Sequence, residues 1–308
     1  MTGTQIPWGK ACDMLRWEIL TGCDNPPSVC GVKGTPQGCW AENEARQKSC
    51  NKCMADRESF TCEPGHPWGI GGSVTPPCPV WQAAFAPTFH PELLDAPSRT
   101  RRDRVIGGGL GGDWWSPGVD PDWRRQVSAM EHRCADMGKA HVFVHLTKNP
   151  YAIDAGLWDL PTQWMGVSCT DDRAYHLIEA LDAHCGEAAH RWVSFEPVLS
   201  EVQPAEDWRD MADWLRSCRV KFVVVGGLSD GQRRIVPPSE PGGLQVEWAQ
   251  TIINAACAAG CAVFCKGLYA TVWRNLLNPR TGMFMQSPTE LRELRDEWLA
   301  LRRRVYYG

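Results

Sequence analysis

The chain contains no run of about 18 consecutive apolar residues, so no segment reads as a membrane-spanning helix. A surplus of positive charge is missing too: 32 Lys and Arg stand against 36 Asp and Glu, a net charge of −4. A balance of that sign does not hold a protein to nucleic acid or to a membrane surface. The first ten residues, with Pro7 and Lys10, lack an apolar signal core, which predicts that the protein is not exported. No internal repeat is found. Tyrosine is scarce, five residues against sixteen tryptophans, and most of those tryptophans are expected in a core or a groove. Fifteen cysteines without an export signal point to metal ligands and reduced thiols rather than a disulfide scaffold.

What the chain does have is alternation. Strand-like apolar runs at 16–21, 104–108, 141–147, 163–168, 191–195, 221–226 and 262–266 are separated by helical patterns at 122–137, 171–184, 208–218 and 246–259. Asp120-Pro121 and Thr170-Asp171 read as helix starts, Gly138 and Gly260 as stops. Strands that are apolar almost throughout suit a parallel sheet buried on both faces. The expected fold is therefore α/β, a partial TIM-like barrel of six or seven βα units. The 308 residues form one domain, with a Cys-, Pro- and Gly-rich insertion at 49–100 and a charged C-terminal helix within 287–308.

In such a barrel the chemistry sits where strands end. Those ends read Gly107-Gly108-Gly109 with Asp113, Leu146-Thr147-Lys148, Gly166-Val167-Ser168, Ser194-Phe195-Glu196-Pro197, Gly226-Gly227-Leu228-Ser229 and Phe264-Cys265-Lys266. Each is compatible with an ordinary turn, but six together suggest one shared polar pocket.

Apart from Cys12, the cysteines fall into three groups. Cys23 follows the first strand directly, six residues separate it from Cys30, and eight more separate Cys30 from Cys39. Three thiolates on one loop can bind three irons of a 4Fe–4S cluster and leave the fourth open to a chelating molecule. Three reduced structural cysteines are the alternative. Cys50, Cys53, Cys62 and Cys78 form a second set, able to hold zinc or a further iron–sulfur cluster in a segment with little other means of ordering itself. Scattered thiols are the alternative there. Cys134, Cys169, Cys185, Cys218, Cys257, Cys261 and Cys265 lie on the helices and strands and read as small buried hydrophobes.

These motifs resemble phage-encoded proteins of the radical S-adenosylmethionine (radical SAM) superfamily that are distantly similar to spore photoproduct lyase. The likeness rests on Trp17, Gly22, Cys23, Cys30, Cys39, Trp40, Ala41 and Glu42, then on Pro87-Thr88-Phe89-His90-Pro91-Glu92 and Asp113-Trp114-Trp115. Leu146-Thr147-Lys148-Asn149-Pro150, Gly166-Val167-Ser168, Ser194-Phe195-Glu196-Pro197, Gly226-Gly227 and Phe264-Cys265-Lys266 continue it in the same order. Eight residues separate Cys30 from Cys39 where that family usually has two, which reads as a loop insertion.

The resemblance implies a 4Fe–4S cluster on Cys23, Cys30 and Cys39 with S-adenosylmethionine on its open iron. One-electron cleavage would then give a 5′-deoxyadenosyl radical that abstracts hydrogen from the substrate. It also implies cofactor contacts at Gly107, Gly108, Gly109 and Ser168, and catalytic roles for Glu196, Asp113 and Lys266. In its most specific form the reaction isomerises an N-linked glycyl-thymidine in phage DNA to the C-linked form. The partners would be DNA carrying the modified thymine and an electron donor, in the cytoplasm of the infected host cell. A radical SAM lyase repairing a pyrimidine lesion, and a non-catalytic zinc-dependent DNA-binding protein, are the competing readings. Arg99, Arg101, Arg102 and Arg104, with Arg302, Arg303 and Arg304, are candidate phosphate contacts or solvated faces. Surplus tryptophans are candidates to support an extruded base.

Overall fold

The structure, a computed structural model, describes residues 1–3, 14–26, 30, 39, 41–42, 45, 85–172, 175–202, 210–227 and 245–265. Its strands are β1 (Thr2–Gly3), β2 (Leu15–Trp17), β3 (Leu20–Gly22), β4 (Thr88–Phe89), β5 (Val105–Gly108) and β6 (Gly111–Gly112). They continue with β7 (Val142–Thr147), β8 (Gln163–Ser168), β9 (His190–Phe195), β10 (Val220–Val225) and β11 (Ala262–Cys265). The helices are α1 (Ala96–Arg99), α2 (Pro121–Asp136), α3 (His176–His184), α4 (Met211–Ser217) and α5 (Val246–Ala258).

The main sheet runs β1-β2-β5-β7-β8-β9-β10-β11, and every pairing from β2 to β11 is parallel. Short β1 adds antiparallel at the edge. Seven parallel strands thus lie side by side in chain order without reversal, and the sheet curls into a half-barrel. All seven carboxyl ends share one edge as a result. A second sheet, β4-β3-β6, is small, with β3 pairing β6 in parallel and β4 antiparallel.

The first strand departs from expectation. The run at 16–21 is two strands, because Ile19 and Leu20 are both fully buried and break the alternation that one flat strand needs. Leu15–Trp17 stays in the main sheet, while Leu20–Gly22 crosses to β6. Residues 85–100, counted with the insertion at sequence level, are ordered around it. His90 N–H donates to Ile19 O at 2.9 Å, and Trp17 Nε1 donates to Leu93 O at 2.8 Å.

Side-chain alternation gives the sheet two faces. Ile106, Phe143, Met165, Val193 and Val223 pack with Val127, Ile178, Leu181, Trp214 and Ile252 of the helices. The opposite face, which the described helices leave uncovered, carries Met14, Val105, Val142, Val144, Trp164, Trp192, Phe222 and Val224. On the helix side Glu131 of α2 accepts from Gln163 Nε2 at 2.6 Å and meets His145 Nε2 at 2.9 Å. That arrangement ties α2 to β7 and β8.

Local chemistry explains the helix ends. The Asp120 carboxylate accepts from Asp122 N–H at 2.8 Å with Pro121 in the first turn. At the far end Lys139 N–H reaches Cys134 O and Gly138 N–H reaches Ala135 O; Cys261 and Gly260 repeat the pattern after α5. Thr170-Asp171 leads into a 3-10 turn at Asp172 and does not open the α-helix directly. Helix α3 begins at His176, and Thr170 O accepts from Leu199 N–H at 2.7 Å, which fastens the exits of β8 and β9 together.

A Cβ built at Gly166 would lie 2.1 Å from Trp192 Cε2, whose ring is locked by a 3.0 Å bond from Nε1 to His145 O. Gly166→Ala is expected to cost about 1–3 kcal/mol by overpacking, read as a lowered urea midpoint. Gly3→Ala, which meets nothing within 4 Å, should leave the midpoint unchanged.

Candidate functional site

The uncovered face of the sheet changes character along its strands. Toward the amino ends it carries Trp164, Trp192 and Phe222; two residues on from Gly166 it presents Ser168, and two on from Trp192 it presents Ser194. Ser168 and Ser194 are register partners, so two buried hydroxyl residues sit side by side at the carboxyl edge. Half-buried Glu196 follows β9, and Gly226 N–H bonds Phe195 O at 2.9 Å where β10 ends. This is the shared polar edge expected from the sequence.

Cys23 arrives at the same edge. Gly22, at φ 82°, turns the chain there, and a Cβ would lie 2.1 Å from Ala86 O, so only glycine fits. Cys23 N–H then bonds Phe85 O at 2.9 Å, and Cys23 Sγ accepts from Asn25 N–H at 3.4 Å. Cys30 is buried, Cys39 half-buried. Burial raises the Cys39 thiol pKa, and the backbone N–H groups of Glu42 and Ala41 oppose it. Cys30 stands close enough to raise it further, and Lys148 close enough to lower it. Among the described residues, no three His, Cys, Asp or Glu side chains are arranged to hold a metal ion.

Asp113 is the hub of the edge. Its Oδ1 accepts from Thr147 Oγ1 at 2.7 Å and Trp115 N–H at 3.0 Å. Its Oδ2 accepts from Asn25 Nδ2 at 2.7 Å and Lys148 N–H at 2.8 Å. Four donors occupy the roughly four lone-pair directions of a carboxylate. Burial pushes the Asp113 pKa up, against the pull of those donors and of the Lys148 ammonium.

The glycine run has structural work of its own. The places where Gly107 and Gly108 lack a Cβ are filled by Leu110 and Met14, and by the His145 ring. Gly109, at φ 64°, abuts Trp114, donates its N–H to Trp17 O and accepts at its O from Gly112 N–H. Packing and the turn account for these glycines, and a cofactor contact by their backbone belongs to the proposal below.

Other expected residues lie elsewhere. Arg101, Arg102 and Arg104 immediately precede β5, so this run lies at the amino edge, opposite the cysteine loop. Most described tryptophans are core residues, with Trp17, Trp114, Trp115, Trp158, Trp192 and Trp214 fully buried, while Trp123 and Trp248 are half-buried against the core. Lys266, Cys50, Cys53, Cys62, Cys78, the helix expected at 287–308 and Arg302, Arg303 and Arg304 lie outside the described residues. Sequence reasoning passed over Asn25, Ser194 and Lys148 as site residues. Lys148 and Ser194 stood in strand-end motifs without a role; Asn25 carries no signal beyond lying two residues from Cys23.

The fold and edge thus define an α/β protein with an open parallel half-barrel and a thiol-rich polar mouth. Over residues 3–283 the chain matches the family described as protein of unknown function (DUF5131), and it belongs to that family. No curated protein matches it. No solved structure matches it either. Among the described residues no helix is long and apolar enough to cross a membrane.

Of the remaining described cysteines, Cys169 and Cys265 stand at the carboxyl ends of β8 and β11 and the others lie away from that edge. Cys134, Cys169, Cys185, Cys218 and Cys261 are buried; Cys257 and Cys265 are half-buried. Burial pushes the Cys185 thiol up to about 11 and the Cys218 thiol to about 12, from an ordinary 9.0. A thiol whose folded pKa is raised contributes stability in full below its unfolded pKa, and that contribution is lost as pH rises toward the folded value. Under reductant, the urea midpoint should therefore fall between pH 9 and pH 11. The fall should be shallower in a Cys185→Ala, Cys218→Ala double variant, whatever its midpoint at pH 8.

Proposed function

We propose that this protein is a radical S-adenosylmethionine enzyme of phage DNA modification that isomerises N-linked glycyl-thymidine to its C-linked form. The observation that carries the reading is the position of the Cys23 loop. It leaves the first strands at the carboxyl edge of a seven-stranded parallel half-barrel, where Asn25, two residues on from Cys23, is bonded to Asp113. The donor chemistry fits the group: thiolates suit iron–sulfur clusters, and a nearby ammonium favours the thiolate form.

In this reading Cys23, Cys30 and Cys39 hold a 4Fe–4S cluster. With S-adenosylmethionine bound, the cluster would supply a one-electron cleavage yielding a hydrogen-abstracting radical. The chain's own residues bind and orient. Ser168 and Ser194 offer paired hydroxyls to a ribose. Glu196 offers a carboxylate to an amine, and the backbone of Gly107, Gly108 and Gly109 closes the near wall. Lys148 joins Lys266 as a candidate for pairing with a carboxylate, since an unpaired buried carboxylate costs several kcal/mol. Tight packing of Trp164, Trp192 and Phe222 beneath the mouth keeps water from entering below. A thymine in duplex DNA would have to leave the stack to reach this edge, at a cost of a few kcal/mol. Reduction requires an external electron donor, and the setting is the cytoplasm of the infected host cell. Cys50, Cys53, Cys62 and Cys78 remain candidates for a second metal, zinc or iron–sulfur.

Anaerobically reconstituted protein should be brown and bleach with dithionite, and a Cys23→Ala, Cys30→Ala, Cys39→Ala variant should lose about four irons per chain. With DNA bearing an α-deuterated N-glycyl thymine, reductant and S-adenosylmethionine, deuterium should appear in 5′-deoxyadenosine. The product nucleoside should keep its elemental composition and change retention. Unlabelled 5′-deoxyadenosine, or altered composition, would favour lesion repair; a colourless, zinc-replete protein would overturn the radical chemistry altogether.

A further inference from the structure

We propose that Asp113 is the positioning residue of the cysteine loop and acts on Cys23 through Asn25. The inference builds on the reading above only in taking Cys23 as a ligand. Asp113 is 5 % exposed and Asn25 1 %, so their 2.7 Å bond is sealed from water, where hydrogen bonds to a charged group are strong. The bond spans 88 positions of sequence. On one side of it, the same Oδ2 is held by Lys148 N–H, and Oδ1 by Thr147 Oγ1 and Trp115 N–H, so the carboxylate is fixed to the end of β7 and the turn after β6. On the other side, Asn25 N–H donates to Cys23 Sγ at 3.4 Å. Main-chain bonds extend the fastening: Asp113 N–H reaches Gly22 O at 3.4 Å, and Gly118 N–H reaches Asp24 Oδ1 at 3.0 Å.

A carboxylate with every acceptor direction taken has none left for a substrate amine or hydroxyl. Asp113 therefore leaves the group of substrate-touching residues, and its charge is spent on geometry. Outer partners of this kind orient metal ligands and tune the centre, and N–H···S bonds shift the potential of iron–sulfur clusters. Asn25 supplies both effects from one side chain and its own backbone: the amide group anchors to Asp113 while the N–H meets the sulfur.

The test needs no cluster. In reduced apoprotein at pH 8, iodoacetamide labelling is followed by mass spectrometry at each cysteine. Asn25→Ala and Asp113→Ala are expected to speed labelling of Cys23 by about tenfold or more, as local opening becomes easier. Cys134 and Cys218 should stay protected, which separates release of the loop from unfolding. Because both act through one bond, the double variant should label Cys23 no faster than Asp113→Ala alone. Cys23 labelled at the wild-type rate in Asn25→Ala, or additive effects in the double variant, would overturn the proposal. If Asp113→Ala also exposes Cys134, the Asn25→Ala rate decides. After reconstitution, Asn25→Ala should in addition shift the cluster's reduction potential. Wild-type protein that takes up no cluster, with the labelling pattern as expected, would remove the enzymatic reading and leave the positioning role standing.

Discussion

Parallel pairing in strict chain order is the constraint on which the molecule depends. Each strand of the main sheet from β2 to β11 lies beside its predecessor in that sheet, so each must be joined by a crossover that returns the chain to the same starting edge. That one requirement puts the helices on a single face and gathers the strand exits along one edge. It also makes the curl of the sheet matter, because the face opposite the described helices becomes an inner wall. Had the order reversed midway, as in a doubly wound sheet, exits of neighbouring halves would lie around a central crevice and helices would cover both faces.

Charge is placed sparingly within this frame. Glu131 and Asp113 are both buried carboxylates, and each is satisfied by groups from several elements. Glu131 joins a helix to two strands well inside the structure. Asp113 joins the exit of β7, the turn after β6 and the cysteine loop. Burying a carboxylate is costly unless hydrogen bonds replace its water, so each network holds its segments in one arrangement. The mouth owes its shape to the second network, while the thiols add the chemistry.

Much of the fold was legible in the sequence. β8 was read at its observed bounds, the Asp120-Pro121 start and the glycine stops of α2 and α5 were visible, and burial of interior cysteines such as Cys134 and Cys218 followed from their place in apolar segments. These features depend on neighbours in sequence, where periodicity and turn chemistry act directly. Misreadings arose where that local logic is overridden. Ile19 and Leu20 look like one continuing strand until the chain changes sheets between them. The pattern at 171–184 looks like one helix, but its α-helical part begins only at His176, and the Thr170 carbonyl is claimed by Leu199 from another strand exit.

The site divides the same way. Composition and spacing alone determined that thiols follow the first strand and that small or polar residues end the later ones. Only the tertiary structure decided which of these meet. It paired Ser168 with Ser194 and drew Asn25 to Asp113. It also set the Arg101, Arg102 and Arg104 run at the edge away from the mouth. The reason is physical: strand periodicity fixes which face a residue takes, whereas the edge it occupies and the partners it finds depend on pairing between distant segments.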